Sequence, residues 1–327
     1  MNEIKFSVII PFYNARDFVV QAVESALMQP ETGEVLLIED NSPDDGLIIC
    51  QELADRHSKV RLLRHPDGQN HGAAASRNLG IRTAIYPYVA FLDADDFFLP
   101  KRFIKTVEIF QSHPDADGVY EAIGATFQNE EVKDLFTKLH FSEITTIREK
   151  IDPEQLFEKF INGHIGHFSF DGLALRRQAF SKTGFFSEEL KVFEDTELIF
   201  RLCAKTILLP GSIETPIAIR RVHSQNRITK QLSDKRNSYY SYNTMWNSLY
   251  KWGQNNLTPN QQILVLRCYI SQLRKIDSFV DYSAADYFSS RKCMLKLGIE
   301  FPSLFLEKFF WRRIIPSREA FKSHGSN

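Results

Sequence analysis

Four short apolar runs, Phe6-Ser7-Val8-Ile9-Ile10, Val35-Leu36-Leu37-Ile38, Val60-Arg61-Leu62-Leu63 and Tyr88-Val89-Ala90-Phe91-Leu92, alternate with stretches of helical period. No other feature limits the possible folds so strongly. Runs of this length and β-branched character match buried strands, and the intervals between them are long enough for the helical crossovers that parallel pairing requires. The pattern predicts an α/β fold with a mostly parallel, Rossmann-like sheet flanked by helices.

The helices carry start signals. Asn14, with Asp17 three residues on, reads as an N-cap, and Phe18, Ala22, Val23, Ala26 and Leu27 form an apolar stripe behind it. Ser42-Pro43 reads as a cap followed by a proline at the first helical position. Gly72 to Ile85 is alanine-rich and helical, weakened by Gly80. Pro100 opens an amphipathic helix with Phe103, Ile104, Val107 and Phe110 on one face, and Val119 to Ile123 reads as a fifth strand. Residues 125 to 170 are less regular, with one helix at Asp152-Pro153; Leu173-Ala174-Leu175 is strand-like and Glu194 to Lys205 helical. After about Arg227 the chain becomes helical throughout, with a capping box at Thr258-Pro259-Asn260-Gln261 and Gly298 as a stop. Two domains are expected, 1–229 and a C-terminal α-helical extension at 230–327, with the boundary near 228–234.

With 40 Lys and Arg against 41 Asp and Glu, the net charge of −1 argues against a nucleic-acid partner held by phosphate neutralisation. Cys50, Cys203, Cys268 and Cys293 form no CxxC pair, so they read as small buried hydrophobes in a reducing compartment. Met1-Asn2-Glu3-Ile4-Lys5 lacks the order of a signal peptide, and no apolar run approaches the ~20 residues that span a bilayer. A cytoplasmic protein is expected, with peripheral contact at the inner face of a membrane through 300–315: Phe305, Leu306, Phe309, Phe310 and Trp311 precede Arg312-Arg313 there. The alternative for that stripe is core packing.

Polar residues gather where the strands end, at Tyr13-Asn14, Glu39-Asp40 and Asp93-Ala94-Asp95. Ligands of open α/β sheets bind outside those ends. An aromatic face, an acceptor carboxylate and a carboxylate pair together suit a nucleotide diphosphate bound with Mg²⁺ or Mn²⁺, since hard cations prefer carboxylate and phosphate oxygens. An exposed acidic turn is the competing reading. It fits less well after a buried strand, because three acids in four positions repel one another unless a cation or solvent relieves them.

The chain resembles glycosyltransferase family 2, with its GT-A nucleotide-binding fold, over roughly residues 5 to 229. The residues that carry the resemblance are Ser7-Val8-Ile9-Ile10-Pro11-Phe12-Tyr13-Asn14, Ile38-Glu39-Asp40-Asn41-Ser42 with Asp44, Asn70-His71-Gly72 through Arg77-Asn78-Leu79-Gly80, Phe91-Leu92-Asp93-Ala94-Asp95-Asp96, and Phe193-Glu194-Asp195-Thr196-Glu197. The family usually has Asp where this chain has Glu39, and often Gly where it has Asn41.

The resemblance implies an inverting transfer of a sugar from a nucleotide-diphosphate donor, a UDP-sugar, to a hydroxyl of a saccharide or lipid-linked saccharide, as in polysaccharide biosynthesis. Pro11 and Tyr13 would hold the base, Asp40 would accept from its N3–H, and Arg77 would lie near the base or pyrophosphate. Asp95 would ligate the metal directly, Asp93 would assist through the ribose or a bound water, and His223 would stand near metal or diphosphate. Asp195 would be the general base, with Glu194 beside it and Asp171 toward the acceptor. Several have a structural alternative: a core aromatic for Tyr13, a salt-bridged helix residue for Arg77, favourable helix-dipole acids for Glu194 and Asp195, and an ordinary histidine for His223. At the level of the whole chain, the alternative is a catalytically degenerate nucleotide-sugar-binding protein. The first strand is not followed by GxGxxG, so a dinucleotide oxidoreductase is excluded.

Overall fold

A computed structural model describes residues 3–138, 141–163, 165–224, 226, 234–275, 284–302 and 310–311. The chain forms two compact units, Met1–Lys230 and Gln231–Asn327. The expected boundary falls largely on 227–233, outside the described residues.

The first unit is built on a seven-stranded sheet. Its strands are β1 (Phe6–Phe12), β2 (Thr32–Glu39), β3 (Val60–Arg64), β4 (Tyr88–Phe91), β6 (Gly118–Tyr120), β9 (Leu173–Arg176) and β10 (Leu208–Pro210), in the order β10-β6-β9-β4-β1-β2-β3. β9 runs antiparallel to both its neighbours, β4 and β6; the other pairs are parallel. Every residue of β1 except Pro11 is buried, as expected for a central strand covered on both faces.

Helices α1 (Val19–Leu27), α2 (Gly46–Arg56), α3 (Ala73–Thr83) and α4 (Ile104–Ser112) supply the crossovers. The ring of Phe6 stacks on Phe103 at 4.2 Å within the core on one side of the sheet. Gly80 marks the close approach of α3 on the other side. A Cβ there would lie 2.5 Å from Ile9 Cγ2 and 3.3 Å from Ile38 Cδ1, which explains a glycine inside a helix despite its conformational cost.

A smaller four-stranded sheet, absent from the sequence reading, comprises β5 (Phe97–Phe98), β7 (Ile123–Phe127), β8 (Ile144–Thr145) and β11 (Ala218–Val222), in the order β5-β11-β7-β8. The expected fifth strand over Val119 to Ile123 is in fact two: β6 ends at Tyr120 in the large sheet and β7 begins at Ile123 in the small one. Helices α5 (Glu130–Lys138), α6 (Pro153–Ile161), α7 (Ala179–Thr183) and α8 (Glu194–Lys205) complete the unit.

Three helix starts differ from expectation: α4 begins at Ile104 rather than at Pro100, with Lys101 in the left-handed region at φ 70°, and the other two are those of α1 and α2. Asn14 is in the left-handed region at φ 51° and donates its N–H to Ser42 Oγ at 2.6 Å, and α1 begins only at Val19. Ser42 does not cap α2 either; it accepts from Asn14 and donates to Asp44 Oδ1, tying two strand-end loops together. By contrast, Asp152 caps α6 through the Glu154 N–H as its sequence predicts.

The second unit contains α9 (Lys235–Asn256), α10 (Pro259–Arg274) and α11 (Ala284–Glu300). α10 opens with the expected capping box between Thr258 and Gln261, whereas α11 continues past Gly298 to Glu300. Of the aromatic stripe expected at a membrane, Phe305, Leu306, Phe309, Arg312 and Arg313 lie outside the described residues; Phe310 is buried and Trp311 exposed. Among the described residues no helix is long and apolar enough to cross a membrane. Of the cysteines expected as small buried hydrophobes, Cys50 and Cys203 are buried, whereas Cys268 and Cys293 are half-buried.

Candidate active site

The acidic triplet follows directly from β4. Asp93 and Asp95 are half-buried, Asp96 is buried, and an oxygen from each carboxylate lies within 4.8 Å of the others. Beneath them sits Asp171, from the 3₁₀ turn Phe170–Gly172 ahead of β9, accepting the Asp93 N–H at 3.0 Å. It is buried rather than turned toward an open acceptor side. Burial first, then the Asp93 charge, pushes Asp171 up to about 6. Burial, then Asp95 and Asp171, holds Asp96 well above the usual carboxylate range. These carboxylates resist simultaneous ionisation, and oxygen-only donors in such a cluster suit a hard divalent cation.

Groups from β11 and the residues just after it meet the triplet. His223 Nε2 lies 3.1 Å from Asp95 Oδ2, and Asn226 Nδ2 donates to the same oxygen at 3.2 Å. Arg221 donates its N–H to Asp96 Oδ1 at 2.8 Å and its Nη1 to the Asp95 carbonyl at 2.6 Å. Burial works against the charge on Arg220, but Asp96, Asp171, Asp93 and Asp195 outweigh it, so its pKa is raised. No motif in the sequence points to Arg220, Arg221 or Asn226; their one signal is adjacency to His223.

Arg77 projects from α3 and is only 5% exposed. Its Nη2 donates to Asp93 Oδ1 at 2.6 Å and its Nη1 to Glu194 Oε1 at 3.2 Å. Asp195 follows at the start of α8, half-buried, with its Oδ1 accepting from the Thr196 N–H at 2.6 Å. The helix is preceded by Phe193 at φ 63°, an uncommon backbone state for a bulky side chain.

At the ends of β1 and β2, Tyr13 is 52% exposed and offers a ring face. Asp40 is buried, and its two oxygens accept the N–H groups of His71 at 2.8 Å and Gly72 at 2.7 Å, ahead of α3. Its carboxylate therefore shapes the loop that enters α3, with lone pairs remaining for a further donor. Asn41 at φ 53° keeps the turn, because asparagine tolerates the left-handed region where the resembled family often has glycine. Glu39 accepts from the Ser42 N–H at 2.6 Å and from Arg64 Nε at 2.7 Å.

Comparison with known proteins bears on the family and the fold. The model of Glycosyl transferase family 2 matches residues 7–184. A glycosyltransferase of Haemophilus influenzae is 24% identical over 221 residues, covering 67% of this chain and 69% of that protein. Several other curated relatives are matched over only 12% to 16% of their own length. Among solved structures, TarS 1-349 of S. aureus in complex with UDP-GlcNAc superposes with a TM-score of 0.62 at 17% identity, covering 84% of this chain and 73% of that one. The mannosyltransferase PcManGT of Pyrobaculum calidifontis in complex with GDP-Man and Mn²⁺ gives 0.53 at 13% identity, covering 99% and 86%. The mixed sheet with helices on both faces is the GT-A fold. The chain belongs to glycosyl transferase family 2.

Proposed function

We propose that the protein moves a sugar from a UDP-sugar to a hydroxyl of a saccharide or lipid-linked saccharide, with inversion at the anomeric carbon and Asp195 as the general base. The observation that carries this reading is the bridge from Asp93 through Arg77 to Glu194-Asp195, which puts a carboxylate pair for a cation and a second acidic site in one place. The first unit would be the catalytic domain, 1–229, and 230–327 its helical extension.

Tyr13, beside Pro11 at the end of β1, offers its exposed ring to a base, and Asp40 stands at the neighbouring strand end. Asp93, Asp95 and the neighbouring His223 are the residues that would hold Mn²⁺ or Mg²⁺; the cation would supply Lewis-acid stabilisation of the departing diphosphate. Asp195 takes the acceptor proton as its oxygen attacks from the face opposite the leaving group. UDP-GlcNAc in TarS and Mn²⁺ in PcManGT support this choice of donor class and cation.

The test is a thermal-shift panel of UDP- and GDP-sugars with Mn²⁺, followed by NMR of the product made from the best donor. Ligands that bind only the native state raise the melting temperature. A UDP-sugar should rank first, and the product anomer should be opposite to the donor's. Retention of configuration, or stabilisation by GDP-sugars alone, would reject the reading.

A further inference from the structure

The segment that carries Asp195 is held between two consecutive residues of α3. Asn78 clasps its beginning: Nδ2 donates to the Phe186 carbonyl at 3.0 Å and to Glu188 Oε1 at 2.8 Å, and Oδ1 accepts the Phe186 N–H at 2.9 Å. Arg77 grips its end at Glu194, one residue before Asp195. α3 is itself pressed onto the sheet at Gly80, so neither side chain has a movable base. The Arg77 guanidinium is enclosed further by the Phe186 ring, 5.5 Å away.

We propose that Arg77 is a positioning residue, which sets the base-bearing start of α8 at a fixed distance from the donor-side carboxylate Asp93. Two donors of one planar guanidinium reach carboxylates on two different elements. A lysine has a single point of charge and lacks that fork. The conformation of Phe193 argues for the same role. A bulky residue at φ 63° persists where its surroundings over-determine it, and the Asn78 clasp and the Arg77–Glu194 pair bracket that turn. Glu194 thereby acts through Arg77 on the placement of Asp195 and does not itself touch substrate. The inference rests on Asp195 being the base.

The test uses the full-length protein as Glu194→Gln, Arg77→Lys and Asp195→Asn. Turnover is followed by UDP release from the best donor of the thermal-shift panel, and binding by calorimetry with UDP and Mn²⁺. Glu194→Gln keeps the side-chain shape and removes the charge that meets Arg77 at the α8 end of the bridge. Its kcat is expected to fall about 10²-fold, the usual consequence of misplacing a catalytic group by about 1 Å, while UDP affinity and melting temperature hold. Arg77→Lys disturbs both ends and should lose kcat and UDP affinity together. Wild-type kcat in Glu194→Gln overturns the proposal, as does a loss of kcat matched by a collapse in melting temperature in both Glu194→Gln and the companion Glu194→Asp. Turnover retained by Asp195→Asn instead removes the base assignment, a separate outcome.

Discussion

Asp95 and His223 are 128 residues apart in sequence, yet the imidazole Nε2 stands 3.1 Å from the carboxylate Oδ2. The ring is stacked on Phe18 with centroids 5.1 Å apart, so both the orientation and the reach of the histidine are fixed by packing. Asp95 lies in the loop from β4 of the large sheet to β5 of the small one, and His223 directly follows β11 of the small sheet.

His223→Ala should therefore weaken Mn²⁺-dependent UDP binding about 10- to 100-fold, the usual effect of losing a group that orients or joins a metal ligand set. Calorimetric titration of UDP across a range of Mn²⁺ concentrations measures it. An unchanged Mn²⁺ dependence would remove His223 from the site.

Tyr13 offers a 52% exposed ring at the end of β1. Tyr13→Ala is expected to raise the Kd for UDP roughly 5- to 150-fold, corresponding to about 1–3 kcal/mol of base stacking, while Tyr13→Phe leaves it unchanged. Equal affinity in the alanine variant would place the uracil elsewhere.

Asp195→Asn should lower kcat by about 10²- to 10⁴-fold and leave UDP affinity intact, since the amide cannot take the acceptor proton. Steady-state rates together with UDP calorimetry separate the two effects. Near-normal turnover would show that another group accepts the proton.

The buried Asp171 gives a pH dependence with a definite sign. Burial and the Asp93 charge raise its pKa from 3.8 to about 6, so the folded state holds the proton more tightly than the unfolded chain. The stability it contributes is complete below about pH 4 and is lost as pH rises through about 6. In EDTA, the melting temperature should carry a downward component across that window. Asp171→Asn, which keeps an oxygen for the Asp93 N–H, should flatten it. Parallel curves for the two proteins would place the effect on other groups.

Much of the large sheet was legible because its central strands are buried on both faces and leave uninterrupted apolar runs. β1, β2, β3 and β4 fall where those runs predict, and α8 spans Glu194–Lys205 as read. The antiparallel sense of β9 was not legible: Leu173-Ala174-Leu175 looks the same in either direction, and only its partners decide. The small sheet was hidden because its strands have two to five residues, and β11 carries Arg220-Arg221 where a buried strand would carry aliphatics. The acids of the site could be read because they sit at strand ends. The basic groups facing them could not, because an arginine on a short strand looks like an ordinary surface residue until its partners are known. At the start of α1 local cap chemistry misled, since Asn14 serves a link to Ser42 between loops rather than the helix behind it.

The long reach of the contacts around the triplet bears on how the protein comes into being. Arg77 meets Glu194 across 117 residues of chain and Asp95 meets His223 across 128. Closing such spans costs entropy before the contacts return any of it, so non-local arrangements of this kind form slowly. During synthesis the triplet leaves the ribosome long before the histidine that aims it. A nascent chain halted short of β11 lacks Arg221 and His223, the groups that meet the carboxylates of Asp96 and Asp95.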